Sequence, residues 1–185
     1  METMTVKDLM VPLSGYATVS EEANLSEAVK SLKKAQDEFD QTRDRHRAIL
    51  VIDKSNKVIG KISQLDVIKA LEPKYLNIDD KSSLSRFGIS KDYLKSILKE
   101  HKLWENALDD ICKKAAKILV KNIMYTPTEG EYVDENASLG EAIHQLVMGR
   151  HQSLLVTKDK EITGILRLTD VFKEISTRIS TCAGE

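Results

Sequence analysis

Apolar residues along the chain follow two habits, helical spacing and short unbroken runs. Asn24-Leu25-Ser26-Glu27 has the form of a helix capping box, and behind it Leu25, Ala28, Val29 and Leu32 predict an amphipathic helix with one buried face. Ala48-Ile49-Leu50-Val51-Ile52 then reads as a buried strand, Asp53-Lys54-Ser55-Asn56-Lys57 as a turn, and Val58-Ile59-Gly60-Lys61-Ile62 as a second strand. A short helix follows over 64–71, and Val19 lies in a short extended segment before the first helix. The second half repeats these patterns. Ser138-Leu139-Gly140-Glu141 caps a helix carrying Leu139, Ala142, Ile143 and Leu146. Ser153-Leu154-Leu155-Val156 and Ile162-Thr163-Gly164-Ile165-Leu166 are strands about a turn at 157–160, a helix follows over 168–179, and Val133 matches Val19. The unit is strand, helix, strand, strand, helix, used twice, and the fold class it predicts is α+β.

The halves also match in residue identity. Val6-Lys7-Asp8-Leu9-Met10 returns as Val120-Lys121-Asn122-Ile123-Met124, a displacement of 114 that also carries Val19, Glu21, Ala23, Leu25, Glu27, Ala28 and Leu32 onto their counterparts. Later the displacement is 104, and Leu50, Gly60, Asp66, Val67 and Lys69 fall on Leu154, Gly164, Asp170, Val171 and Lys173. The first copy therefore holds ten extra residues, placed within 35–46. Each copy spans only about 55 to 65 residues, the marginal range for independent folding, so the copies are expected to pack together about a pseudo-twofold axis. A ligand then belongs in the cleft between them. The expected boundaries are a first unit over 1–72, a helical insertion over 73–119 and a second unit over 120–185.

In the insertion, residues 81–86 read as a polar loop. Ser90 reads as a cap for a helix carrying Tyr93, Leu94, Ile97 and Leu98. A second helix is expected from Asn106, with Leu108, Ile111, Cys112, Ala115, Ile118 and Leu119 on its inner side and Trp104 at the junction. These helices suit packing on the module, a dimer contact, or a partner-docking surface around Trp104.

Charge changes the picture mainly by exclusion. With 28 basic against 29 acidic residues there is no global field to hold nucleic acid or an anionic membrane, and Lys and Arg are not concentrated on one helix. No apolar run approaches the roughly 18 residues of a membrane span, and the N-terminus lacks a basic stretch followed by an apolar one, so the expectation is a cytoplasmic protein. Cys112 and Cys182 are distant from each other and from any histidine at ligand spacing, which suits free thiols in a reducing compartment. No Ser/His/Asp arrangement, metal-ligand cluster or P-loop can be read, so the chain is not expected to be an enzyme or to need an obligatory cofactor.

Candidate chemistry lies where the second strand of each hairpin meets its helix. In Gly60-Lys61-Ile62-Ser63-Gln64-Leu65-Asp66, Gly60 permits close approach to the backbone and Ser63 sits at the helix start, where free N–H groups favour a phosphate. Asp66 can accept both hydrogen bonds of a ribose diol. Ser-x-x-Asp is also an ordinary cap that needs no ligand. In the second copy Arg167 stands where Ser63 stood, Asp170 remains, and Thr169 can cap one residue later. An arginine there can meet a phosphate directly. Arg43, Arg45, His46 and Arg47 precede one middle strand and Arg150 and His151 the other, fitting either phosphate neutralisation or a solvated basic patch. His101 and His144 are expected on helix surfaces.

On these residues the chain resembles a tandem pair of CBS domains, a Bateman module. The resemblance is carried by the doubled segments Val6–Met10 leading to Val19 and Gly60-x-x-Ser63-x-x-Asp66, together covering about 130 residues apart from the insertion. It implies two units packed through their sheets, clefts related by pseudo-symmetry, and an adenosine-containing ligand such as AMP, ADP, ATP or S-adenosylmethionine. On this sequence it implies Asp66 and Asp170 for ribose and Ser63 for phosphate. Strand-entry residues near Ala48 and Gln152 then line the base, with Arg47 and His151 beside them as ligand-binding candidates and backbone near Val11 and Thr126 close by. Arg167 departs from the usual hydroxyl and puts the second cleft in question. The resemblance further implies a homodimer and a regulated partner, with a protein-interaction scaffold acting through the inserted helices as the alternative.

Overall fold

The structure, a computed structural model, describes residues 4–39, 42–72, 74, 91–100, 102 and 110–182. The first copy holds β2 (Thr18–Ser20), α2 (Leu25–Glu38), β3 (Ala48–Ile52), β4 (Val58–Ser63) and α3 (Gln64–Leu71), preceded by α1 (Val6–Leu9) and β1 (Val11–Pro12). The second holds β5 (Tyr132–Asp134), α6 (Leu139–Gly149), β6 (Ser153–Lys158), β7 (Glu161–Arg167) and α7 (Leu168–Cys182). Between them lie α4 (Lys91–Glu100) and α5 (Ile111–Lys117). The α+β duplication expected from the sequence is present. In each copy the first strand runs parallel to the middle strand, which forms an antiparallel hairpin with the third.

The capped helices form for the reasons the sequence supplies. Asn24 and Glu27 close a reciprocal capping box, and Ser138 Oγ accepts from Glu141 N–H. Leu25, Ala28 and Leu32 are buried on α2, but Val29 is 43% exposed and does not share that face. Its position is one step round the helix from Ala28, at the edge of the apolar stripe.

The two lead-in segments are exchanged between the copies. Val6 N–H donates to Ala137 O at 3.0 Å, and β1 pairs antiparallel with β7 in the register Val11 to Ile165. Reciprocally, Val120 N–H donates to Ala23 O at 2.8 Å, and Lys61 and Tyr125 exchange backbone hydrogen bonds of 2.9 Å. Val6 and Val120 are fully buried in the opposite copy's core. Each small unit is thus completed by the other. Gly60 and Gly164 lie at the crossings: a Cβ on Gly164 would meet Val11 O at 2.5 Å, and one on Gly60 would meet Met124 Sδ at 2.8 Å.

A third cluster, Val11, Tyr16, Leu50, Leu155 and Ile165, joins the inner faces of the two sheets. It corrects the repeat alignment by one residue. Thr18 pairs with Leu50 and its counterpart Tyr132 with Leu155, so Leu50 corresponds to Leu155, not to Leu154. Side chains alternate along a strand, so a slip of one exchanges its faces, and Leu154 in fact lies in the second copy's own core. The displacement in the middle strands is therefore 105 and returns to 104 at Gly60 and Gly164 because the second hairpin turn is one residue shorter. The extension between α2 and β3 is thus nine residues. Three lengthen α2, which has 14 residues against 11 in α6, and the other six lengthen the connection over 39–47.

In the insertion α5 lies against α2, and Leu25 N–H donates to Ile118 O at 2.8 Å. Cys112 is exposed, not on the inner side, because α5 begins at Ile111 and places the cysteine one step off its contact face. Tyr93 on α4 is also exposed. Residues 81–86, Ser90, His101, Trp104, Asn106 and Leu108, and the side chains of Leu94 and Leu98, lie outside the described residues. Among the described residues no helix is long and apolar enough to cross a membrane.

Candidate functional site

Ser63 ends β4 and caps α3. Its N–H and Oγ–H both donate to Asp66 Oδ2, at 2.8 and 2.6 Å, while Asp66 N–H donates back to Ser63 Oγ at 3.2 Å. The cap anticipated from Ser-x-x-Asp is therefore made. It uses one carboxylate oxygen and leaves Asp66 Oδ1 without a partner among the described residues, beside a cleft of about 440 Å³. That volume lies in the range of about 300–1,000 Å³ typical of small-molecule sites.

Both copies wall this cleft. The first contributes Tyr16, Arg45, Arg47, Ala48, Lys61, Ser63 and Asp66, and the second Arg150, His151, Gln152, Ser153, Arg167 and Thr169, with Tyr125 and Glu131 from the connection. Two of its five cations are internally engaged. Lys61 Nζ pairs with the buried Glu131, whose carboxylate also accepts from Tyr125 Oη and Thr128 N–H. Burial pushes the Glu131 pKa up, but the hydrogen bonds from Lys61, Tyr125 and Thr128 outweigh it and hold the group below the ordinary carboxylate value. The same hydrogen bond raises the Tyr125 pKa. Arg167 is engaged with Asp170. Arg45, Arg47 and Arg150 are exposed, and their guanidiniums have no hydrogen-bond or ion-pair partner among the described residues.

The pseudo-equivalent position is filled by the chain itself. Asp170 is buried and accepts from Arg167 Nε at 2.5 Å and Nη2 at 2.7 Å. Arg43 Nη2 adds a contact at 3.1 Å to Oδ1. Arg43 comes from the extension and is fixed by its hydrogen bond to Leu9 O at 3.1 Å. Arg167 also donates to Asp44 O at 2.6 Å and lies over the Phe39 ring, 5.2 Å from its centroid. His46 packs between Phe39 and Tyr16 with tilted rings, the centroids 4.1 and 4.3 Å away. Its Nε2 lies 3.1 Å from Gly15 O and its Nδ1 3.3 Å from Arg167 Nη1, contacts that suit a neutral ring donating through Nε2. Burial, reinforced by Arg167, pushes the His46 pKa down to about 4. Burial likewise pushes Tyr16 up to about 12. The recess remaining beside Asp170 measures about 240 Å³.

Of the residues singled out in sequence, Ser63, Asp66, Arg47, Ala48, His151, Gln152 and Arg167 converge on the larger cleft. Asp170 lies outside it, in the filled site. Val11 is buried in the inter-sheet cluster and Thr126 is exposed; neither lines the cleft. Lys61, Tyr125 and Glu131 were not anticipated. A signal was available in the repeat: their counterparts are Ile165, Val11 and Ala17, all apolar and buried. That substitution of a polar trio for an apolar one distinguishes the open side from the closed side.

The fold is a duplicated α+β module whose two strand-to-helix sites differ, one open to a cleft and one filled by the chain's own arginines. The CBS domain family pattern matches residues 6–73 and again 115–177, and the chain belongs to this family. No curated protein matches it in sequence. Among solved structures it is similar to a CBS domain-containing protein from Kribbella flavida, at 18% identity and TM-score 0.60, covering 94% of this chain and 99% of that one. It is also similar to CBSX2 in complex with AMP, at 18% identity and TM-score 0.58, with 94% and 97% covered. A third is a putative acetoin utilization protein from Vibrio cholerae, at 16% identity and TM-score 0.58, with 99% and 98% covered. At these identities the likeness is one of fold.

Proposed function

We propose that the chain is a ligand-sensing CBS pair that binds one adenosine-containing molecule per chain, in the cleft beside Ser63 and Asp66. The observation that carries this reading is the contrast between the two acids. Asp66 keeps an oxygen free at an open, basic cleft, while Asp170 is consumed by Arg43 and Arg167. A ribose diol suits the free carboxylate oxygen, and Ala48, Gln152 and Tyr16 offer surfaces for a base. The AMP in the CBSX2 complex supports the ligand class. Binding shifts the packing of the copies only in so far as the ligand prefers one arrangement over another.

The test is calorimetric titration of ligand-stripped protein with AMP, ADP, ATP and S-adenosylmethionine. We expect saturable binding of at least one of them at one equivalent per chain. Asp66→Asn, which keeps an acceptor for Ser63 but loses the charge, should weaken it at least tenfold. Absence of binding to all four at millimolar concentration overturns the reading, and two equivalents per chain overturns the closed second site.

The exposed residues Ile68 on α3 and Phe172 on α7 occupy corresponding positions in the two copies. An apolar pair related in this way supports self-association through these helices, and the chain is proposed to act as a homodimer in the cytoplasm.

A further inference from the structure

We infer that Arg43 is a built-in gate on the second site, a side chain of the first copy that takes the place of a ligand at Asp170. The inference rests on the adenosine reading for the class of ligand and adds to it what limits the chain to one molecule. The two acids differ by less than their surroundings suggest. Asp66 Oδ2 accepts from Ser63, three residues earlier, and Oδ1 is left to the cleft. Asp170 Oδ2 accepts from Arg167, also three residues earlier, at 2.5 Å. Its Oδ1 receives Arg167 Nη2 at 2.7 Å and, in addition, Arg43 Nη2 at 3.1 Å and Nε at 3.3 Å. An ionised carboxylate offers about four acceptor positions, so with Arg43 withdrawn Asp170 has room for a further donor while Arg167 stays.

Arg43 sits there as an occupant rather than as part of the wall. It belongs to the connection over 39–47, whose counterpart in the second copy is only residues 150–152. Its guanidinium donates to a carboxylate and to Leu9 O at 3.1 Å, the kind of acceptor pair that a donor-rich ligand would use. The connection is anchored by Phe39, packed against the inter-sheet cluster, and by the fully buried His46. Between these anchors Thr42, Arg43, Asp44 and Arg45 bring no aliphatic or aromatic side chain to bury. Hydrogen bonds fasten this stretch to the second copy: Lys173 Nζ donates to Thr42 O at 2.5 Å and Arg167 Nη1 to Asp44 O at 2.6 Å. Such bonds exchange with those of water at modest net cost, so a ligand offering the same donors can replace Arg43. Arg43 also walls the recess of about 240 Å³, short of the range of about 300–1,000 Å³ typical of small-molecule sites, and its truncation enlarges that space.

Calorimetry on the full chain counts the sites, with AMP, ADP, ATP and S-adenosylmethionine as probes. We expect one equivalent for the unaltered chain and two for Arg43→Ala. Adding Arg43→Ala to Asp66→Asn should restore one equivalent bound at least tenfold more tightly than Asp66→Asn alone allows, which assigns the new site to Asp170. Arg167 still pairs with Asp170 in these variants, so no buried charge is stranded, and thermal unfolding checks the fold. Arg43→Ser gives the same count should alanine unsettle this exposed stretch. One equivalent for both the unaltered chain and the Arg43 variants overturns the gate while the adenosine reading stands. Two equivalents for the unaltered chain also overturn it, since Arg43 then closes nothing. Binding of one equivalent by the Arg43 variants alone supports the gate and overturns the placement of the ligand beside Asp66. If neither protein binds any of the four, both readings fall.

Discussion

His46 is buried between Tyr16 and Phe39 with both ring nitrogens engaged, and the nearest charges are Arg167, Asp170 and Arg43. Its folded pKa of about 4 lies below the ordinary value of 6.5, so the unfolded chain takes up the proton first as pH falls. The stability this site contributes is complete above 6.5 and is lost between 6.5 and 4, at no more than about 1.4 kcal/mol per pH unit for one proton. Urea denaturation across that window should therefore show a steeper fall for the unaltered chain than for His46→Gln, which cannot titrate. Equal slopes for the two proteins would place the pH dependence elsewhere. At this scale the sequence was informative where one residue type implies one local geometry. Ser63 and Asp66 form a cap because their spacing allows little else. It was silent where a role depends on a distant partner: nothing adjacent to Lys61 announces Glu131, 70 positions away.

Among the elements, the lead-in segments cross from each copy to the other, and two glycines set how closely they approach. The atom that a Cβ on Gly164 would meet at 2.5 Å is the backbone oxygen of Val11, which cannot move without displacing β1. At Gly60 the nearest atom is the Met124 sulfur at 2.8 Å, on a flexible side chain, with Tyr125 O at 3.1 Å. Gly164→Ala should therefore cost about 1–3 kcal/mol, and Gly60→Ala less. Chemical denaturation of the two variants measures the difference, and equal losses would count against a backbone-limited contact at β1. Hydrophobic periodicity located these strands and helices because it reports which face is buried. It does not report which sheet buries that face, so the exchange of Val6 and Val120 between copies was not legible. The one-residue shift between Leu50 and Leu155 was hidden for a related reason, since Leu154 and Leu155 are both apolar and only their faces tell them apart.

For the molecule as a whole, duplication supplies two equivalent helices, α3 and α7, each with apolar side chains exposed on its surface. Ile68 is 50% exposed and Phe172 69% exposed, at positions 104 residues apart, with Leu65 and Ile179 exposed on the same two helices. Apolar side chains grouped on the surface favour association, and the pseudo-twofold relation means that a second copy presents the same pair in return. Polar replacement at one position leaves half of such a contact in place. The double variant Ile68→Glu, Phe172→Glu removes it and sets like charges face to face. Sedimentation velocity should show a dimer for the unaltered chain and a monomer for the double variant, with unchanged thermal unfolding of each protomer. A monomer for the unaltered chain at every concentration would overturn the assignment. A dimer that survives both substitutions would move the interface away from α3 and α7. Neither Ile68 nor Phe172 lines the cleft, so ligand affinity per chain should persist in the monomer unless binding is coupled to assembly; the same variant therefore separates a sensor that works within one chain from one that requires two.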